Sequence, residues 1–288
     1  MKPSLTVDIG TTSIKVGLFD EAGNLVTGTK FPTPILPDSE GTVYDMPVLV
    51  ASVEAFIGAL KPEQRASLER IALCGVGESG ALVDADCTLR SPMILWHDQR
   101  GKPWIDVLSD EEKARIYAIA GLPAHANYGI SKAAWAVQRC NADGVVWLNI
   151  SEYLAAYLTG QRWSEYSLAS RTMALDLSSR TWSEEICEMF GLRTSLFPVV
   201  RAATEGVPIA GDSASRLGLP ANVRVHVAGH DHMVGAHGAD LSPSQLLNST
   251  GTTEGLLLLR DRPDLGERAA SRKISGGISC DGRHATSF

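Results

Sequence analysis

The feature that most constrains this chain is a strand-turn-strand unit that it carries twice, once near each end. Leu5-Thr6-Val7-Asp8-Ile9 leads into Gly10-Thr11-Thr12-Ser13, and Ile14-Lys15-Val16-Gly17-Leu18-Phe19 leads out. Runs rich in β-branched residues on either side of a small, hydroxyl-bearing turn specify a hairpin. Its tip presents backbone N–H groups and the hydroxyls of Thr11, Thr12 and Ser13, which can hold phosphate, although a purely structural turn has the same composition. Asp8, at the strand end, offers the oxygen ligand or water-holding carboxylate that a phosphate-bound Mg2+ needs, and Lys15 offers positive charge. Gln245-Leu246-Leu247-Asn248-Ser249, Thr250-Gly251-Thr252-Thr253 and Glu254-Gly255-Leu256-Leu257-Leu258-Leu259 repeat the apolar, Gly-Thr-Thr, apolar layout. The repetition predicts two related α/β units facing each other across a cleft, with a nucleotide's phosphates between the turns.

With 288 residues, 44% of them hydrophobic, the chain can bury the core of one large or two modest domains. Its net charge is −7 and no Lys/Arg cluster interrupts it, so the electrostatic footprint of nucleic-acid binding is missing and any phosphate binding must be local. No apolar run reaches the roughly 18 residues of a bilayer span. The start Met1-Lys2-Pro3-Ser4 enters a strand without a signal-peptide apolar region, so no membrane partner and a cytoplasmic setting are expected. Cys74, Cys87, Cys140, Cys187 and Cys280 are scattered and lack a Cys-x-x-Cys pair, which counts against a disulfide framework and a zinc site.

After the hairpin, a turn at 20–24 and a third strand at 25–30 make an antiparallel meander. The Pro-rich stretch 31–37 reads as a loop. Val50, Val53, Ile57 and Leu60 fall at helical spacing from Pro47 onward, with Pro62 as the stop. A buried strand at 70–74 then follows a helix, which signals a parallel crossover and a mixed sheet. The bend Gly75-Val76-Gly77-Glu78-Ser79-Gly80 either aims Glu78 into a pocket or leaves it solvated. Strands at 81–83 and 93–96 lead to Trp96-His97-Asp98-Gln99-Arg100, which suits polyol recognition and equally a structural ion pair beside a stacked Trp. Helices are expected across 110–137 with a break at Gly121-Leu122-Pro123, at 152–158 up to Gly160, at 182–190 up to Gly191 and at 212–217 up to Gly218. Residues 164–177 read as loop plus strand, and 145–149 as a short strand. A strand at 223–228 delivers Gly229-His230-Asp231-His232 at its C-terminal end, the edge where α/β sheets collect ligands. Asp231 is either the N-cap of a helix at 233–238 or a general base, a carboxylate that orients an attacking hydroxyl and accepts its proton in phosphoryl transfer.

These residues together resemble the FGGY family of carbohydrate kinases. Asp8-Ile9-Gly10-Thr11-Thr12-Ser13-Ile14-Lys15 resembles that family's first phosphate motif and Ser249-Thr250-Gly251-Thr252-Thr253 its second. Trp96-His97-Asp98-Gln99-Arg100 resembles its Trp-x-Asp-x-Arg stretch, Ala169-Ser170-Arg171-Thr172-Met173 its Ala-Ser-Arg-Thr signature, and Gly229-His230-Asp231-His232 the segment with the catalytic Asp. The resemblance implies an actin-like, ribonuclease-H-like α/β fold, a mixed β-sheet flanked by helices, with residues 1–240 as the N-terminal domain and 241–288 as the truncated beginning of a second. It also implies ATP and Mg2+ as cofactors and phosphorylation of a sugar or polyol hydroxyl. Asp231 then matches the base, and Asp8 the Mg2+-side carboxylate, acting through water. Gly10, Thr11, Thr12, Ser13 and Lys15 match the first phosphate turn, and Gly251, Thr252 and Thr253 the second. Glu78, Trp96 and His232 fall on the substrate side. Gly77 stands where glycerol kinases have Arg, and Asn127 near their Tyr, which counts against glycerol.

The family's adenosine-binding Gly-rich motif has no counterpart here, so the chain alone is expected to catalyse weakly and to pair with a second copy or a complementary C-terminal half. Leu246, Leu247 and Leu256 to Leu259 are then expected to present apolar surface and unpaired strand edges. Two other classes fit parts of the sequence. His230, Asp231, His232 and His237 would suit a metal-dependent hydrolase, since His-x-His projects both imidazoles to one side of a strand. A non-catalytic or split actin-like module would keep the fold without the chemistry.

Overall fold

Apolar and polar residues alternate along Ser4–Ile9, so Leu5, Val7 and Ile9 are fully buried while their neighbours are not. The computed structural model describes residues 2–250 and 254–287. Ser4–Ile9 pairs antiparallel with Ser13–Phe19, which pairs with Leu25–Pro32, giving the expected meander. On its other side Ser4–Ile9 runs parallel to Arg70–Gly75, and that strand runs parallel to Arg224–His230. Val207–Pro208 completes a mixed sheet of six strands. Helix Met46–Ala59 makes the crossover and turns Leu49, Val50, Val53 and Ile57 inward, with Asp45 as its cap. Helix Ile150–Thr159 packs on Arg70–Gly75 and Arg224–His230 and ends at Gly160, whose φ of 68° supplies the left-handed stop.

A second sheet of five antiparallel strands follows the order Ile35–Asp38, Gly41–Tyr44, Met93–Ile94, Gly80–Val83, Val146–Asn149. Helices Asp110–Ala120 and Gly129–Arg139 contribute Ile116, Ile119, Ile130 and Trp135 to the apolar cluster on it. A third, antiparallel sheet runs Leu247–Thr250, Glu254–Arg260, His284–Ser287, Ser275–Ile278. Its apolar side meets Met233, Ala236 and Leu241. The Ser275–Ile278 edge is pinned to the rest of the molecule. Gly276 N donates to Gly121 O at 2.7 Å, Ile278 N to the Ser170 hydroxyl at 3.2 Å, and Tyr117 Oη to Ile274 O at 2.7 Å.

Four sequence expectations give way. The stretch 31–37 is not a loop: Leu25–Pro32 extends into it and Ile35–Asp38 forms an edge strand, where a proline needs no ladder partner for its missing N–H. Pro62 does not stop the preceding helix; Leu60 does, and Pro62 opens the short helix Pro62–Ala66 at its first position. Residues 166–170 are helical, because the Glu165 carboxylate accepts from Ser167 N and Leu168 N and so caps a turn too short to show periodicity. The leucines after 253 are not on an open edge: Glu254–Arg260 is paired on both sides, and Leu257 and Leu259 are buried. Leu246 is exposed as expected, and Leu247–Thr250 is an edge strand.

Candidate active site

The three parallel strands of the main sheet end at one level, where Ile9, Gly75 and His230 sit side by side in register. The turn after Ile9, the bend after Gly75 and Asp231 after His230 therefore emerge together. Two hollows meet at this edge.

The first hollow is lined by Asp8, Thr12, Lys15, Asp231, His232 and Asn248 among others. Gly10 N donates to Ser13 O at 3.1 Å to close the turn, and a Cβ on Gly10 would meet that oxygen at 2.9 Å. Thr33 Oγ1 braces the turn from outside by donating to Gly10 O at 2.7 Å. Asp8 and Lys15 are opposite each other across the hairpin, with Lys15 Nζ 2.9 Å from Asp8 Oδ2. The Asp8 hydrogen bond and charge raise the Lys15 pKa, so the ammonium is held charged at the mouth of the hollow. Thr11 and Thr12 are exposed. The second turn, with Gly251, Thr252 and Thr253, lies outside the described residues.

The second hollow encloses about 310 Å3 and is lined by Glu78, Trp96, Asn127, Arg171, His230 and His232 among others, with Asp231 again on the wall. Glu78 holds a φ of 30°, a region that L-residues rarely adopt. Its carboxylate pairs with Arg171 at 2.6 Å, and the guanidinium lies over Tyr128. Burial works to raise the Glu78 pKa, but Arg171, with His230 adding to it, holds the carboxyl below its usual range. Trp96 Nε1 donates to Thr11 Oγ1 at 3.0 Å, which ties the second hollow to the tip of the Gly10–Ser13 turn. Gln99 donates to Asn127 Oδ1 at 2.7 Å along the rim. The stretch 96–100 divides between its two readings. Trp96 faces the pocket, whereas Arg100 is buried away from it between Asp98 and Asp38, at 2.9 and 2.8 Å, above the Trp135 ring.

Asp231 is the first residue of helix Asp231–Gly238, and the N-cap position belongs to His230. Asp231 Oδ1 accepts from His232 N at 2.7 Å and lies 3.1 Å from His230 Nε2. Burial pushes the His230 pKa down, against the pull of the Asp231 charge, which favours a neutral ring at pH 7. Its buried Nδ1 has no hydrogen-bond partner among the described residues. The strand bulges between Val227 and Gly229 just before this group, and Gly229 adopts a φ of 124°. His230 N donates to Ser167 Oγ at 2.8 Å, and Ser167 in turn bonds the buried Glu165, whose pKa burial pushes up to about 8. A Cβ on Gly229 would collide with Ser167 Oγ and come within 2.9 Å of Glu165 Oε2. Gly229→Ala is expected to remove about 2 kcal/mol or more of stability, because it adds backbone strain to this collision. Urea unfolding of the two proteins measures it.

Every substrate-side and first-turn residue expected from sequence that lies among the described residues borders one of the two hollows. Arg171 was visible only as part of a signature and His230 only as a possible metal ligand, yet both wall the second hollow. His125, Asn127 and Tyr128 enter it through the turn before Gly129–Arg139. Among the described residues no group of three or more His, Cys, Asp or Glu side chains is arranged to hold a metal ion, and His230 and His232 stack on each other. The hydrolase reading therefore lacks its ligand set there.

Residues 4–238 match the N-terminal domain of the FGGY family of carbohydrate kinases, and the chain belongs to that family. It is 27% identical over 261 residues to the xylulose kinase of Lactococcus lactis subsp. lactis (strain IL1403), a match covering 86% of this chain and 52% of that protein. To the L-fuculokinase of Escherichia coli (strain K12) it is 27% identical over 267 residues, covering 88% of this chain and 56% of the relative. The solved structure of a ligand-bound xylulose kinase from Lactobacillus acidophilus superposes with a TM-score of 0.88 at 20% identity, over 100% of this chain and 59% of that one. The fold is accordingly the actin-like, ribonuclease-H-like α/β fold of these kinases. The chain spans about half the length of the curated relatives it matches. No helix among the described residues is long and apolar enough to cross a membrane.

Proposed function

We propose that this chain forms the acceptor side and the first phosphate turn of an ATP-dependent sugar or polyol kinase, with Asp231 as general base. The observation that carries this reading is that Asp231 borders both hollows. An acceptor hydroxyl in the second hollow would meet a phosphoryl group in the first across the Asp231 carboxylate. Phosphoryl transfer through a loose transition state asks mainly for positioning, so an ionised carboxylate that orients the hydroxyl and takes its proton is sufficient. The first hollow fits a nucleotide's phosphates: an open turn with exposed hydroxyls, a glycine whose Cβ would crowd the loop, and Lys15 charged at the mouth. Gly10, Thr11, Thr12, Ser13 and Lys15 would hold the phosphates, and Asp8 would hold Mg2+ through water. When bound, the ion supplies positive charge against that developing on the phosphoryl oxygens. Gly251, Thr252 and Thr253 are assigned the matching role on the second turn, and residues 241–288 the start of a second domain after 1–240.

Glu78, Trp96 and His232 are the proposed sugar contacts. Glu78 would present its carboxylate to hydroxyls while its charge is balanced by Arg171. The relatives' names supply the panel for the test: xylulose, L-fuculose, gluconate and glycerol. An ADP-release assay with MgATP is expected to show turnover on at least one of them. ADP release that no sugar or polyol stimulates would overturn the kinase reading.

A further inference from the structure

A lysine with no exposed surface stands behind the second hollow. Lys132 lies on helix Gly129–Arg139 and is 0% exposed. Its Nζ donates to Asn127 O at 2.5 Å, to Trp96 O at 2.6 Å and to Glu78 O at 3.0 Å. An ammonium has three N–H donors, so this geometry uses all of them on main-chain carbonyls. Each carbonyl belongs to a residue that lines the pocket, and each comes from a different segment: the bend 75–80, the stretch after Met93–Ile94, and the turn before Gly129.

We propose that Lys132 is a positioning residue for acceptor binding: one ammonium fixes Glu78, Trp96 and Asn127 relative to each other and so sets the shape of the pocket. The assignment of the pocket's ligand rests on the kinase reading, whereas the tie between the three segments does not. A lysine that merely filled space would be replaceable by an apolar side chain, since a buried charge is expensive to desolvate unless its partners require it. Here they do, because inward-facing carbonyls left without donors are themselves penalised. Burial pushes the Lys132 pKa down to about 7 against the pull of Glu78 and Asp98, so the three-donor tie is fully formed only below that value. The strained φ of Glu78 is explained in the same way, because its carbonyl is drawn toward the ammonium while its carboxylate is drawn toward Arg171.

The test compares Lys132→Met, Lys132→Gln and Lys132→Arg with the unaltered protein. Deuterium exchange is followed by mass spectrometry, and calorimetric titration uses the four-compound panel and MgADP. In Lys132→Met, segments 76–79, 95–98 and 125–128 are expected to exchange faster together while Ser4–Ile9 and Arg224–His230 stay protected. Its Kd for the sugar is expected to weaken about tenfold or more, with the MgADP Kd within about twofold, since small displacements of positioning groups have effects of that size. Lys132→Gln, neutral with two donors, should lie between, and it decides the matter if the Met variant does not fold. Lys132→Arg, which keeps a charged donor, should recover part of the sugar affinity. Uniform loosening of the whole molecule, unchanged exchange in the three segments, or faster exchange there with an unchanged sugar Kd would each overturn the proposal. If the unaltered protein binds nothing in the panel, the kinase reading has failed instead, and the exchange pattern decides whether Lys132 ties the segments.

Discussion

Asp231→Asn is expected to lower kcat by about 10²-fold or more, with the Kd for MgADP nearly unchanged. The substitution keeps the shape of the side chain and an oxygen that can accept from His232 N, so the helix start should survive. What it removes is the ability to take a proton at the wall shared by the two hollows. Steady-state ADP release and a nucleotide titration measure the two quantities. A kcat within about threefold of the original would remove Asp231 from the role of base, since a positioned base contributes far more than that.

Arg171→Met is expected to destabilise the fold by about 3–5 kcal/mol at pH 7, the usual consequence of leaving one member of a buried ion pair alone. Glu78 and Arg171 side chains are 11% and 13% exposed, so water does little to screen the orphaned carboxylate. The pH dependence follows from the sign of the shift. In the unaltered protein the Glu78 pKa lies below its ordinary 4.5, so the pair's contribution is present above that value and is lost as the pH falls through the folded pKa. Without Arg171 burial acts with less opposition, Glu78 is driven upward, and protonation relieves the variant. The stability gap should therefore narrow between pH 7 and about pH 4.5. Urea midpoints at several pH values test this, and Arg171→Met with Glu78→Gln should recover much of the loss. A gap that stays constant over this range would mean that the pair contributes through packing alone.

The hairpin, the crossover strand and the placement of Asp231 were legible because each is a local pattern: alternation, a glycine-hydroxyl turn, an acidic residue directly after an alternating strand. What the sequence concealed depends on distant partners. Prolines at 32, 34 and 37 look like loop residues, and only their position at a sheet edge makes a strand there possible. Glu165 reads as one acid among many until its carboxylate is seen capping Tyr166–Ser170 while Ser167 holds His230. Lys132 is surrounded in sequence by Ile130, Ser131, Ala133 and Ala134, and helical spacing gives no sign that its ammonium is spent on three carbonyls. Asp98 and Arg100 looked as suited to a ligand as Trp96 did. Their separation was decided by Asp38, more than half a hundred residues earlier in the chain.

The third sheet is attached to the rest of the molecule along Ser275–Ile278, while its opposite edge, Leu247–Thr250, contributes Leu247, Asn248 and Ser249 to the first hollow. Three inter-strand spacings of about 4.8 Å separate the two edges by about 14 Å. Between them the sheet's apolar side rests on Met233 and Ala236 of the helix that begins at Asp231, and Leu247 packs on the same cluster. The wall that Leu247, Asn248 and Ser249 give the first hollow is thus braced twice, by hydrogen bonds at the far edge and by apolar packing beneath it.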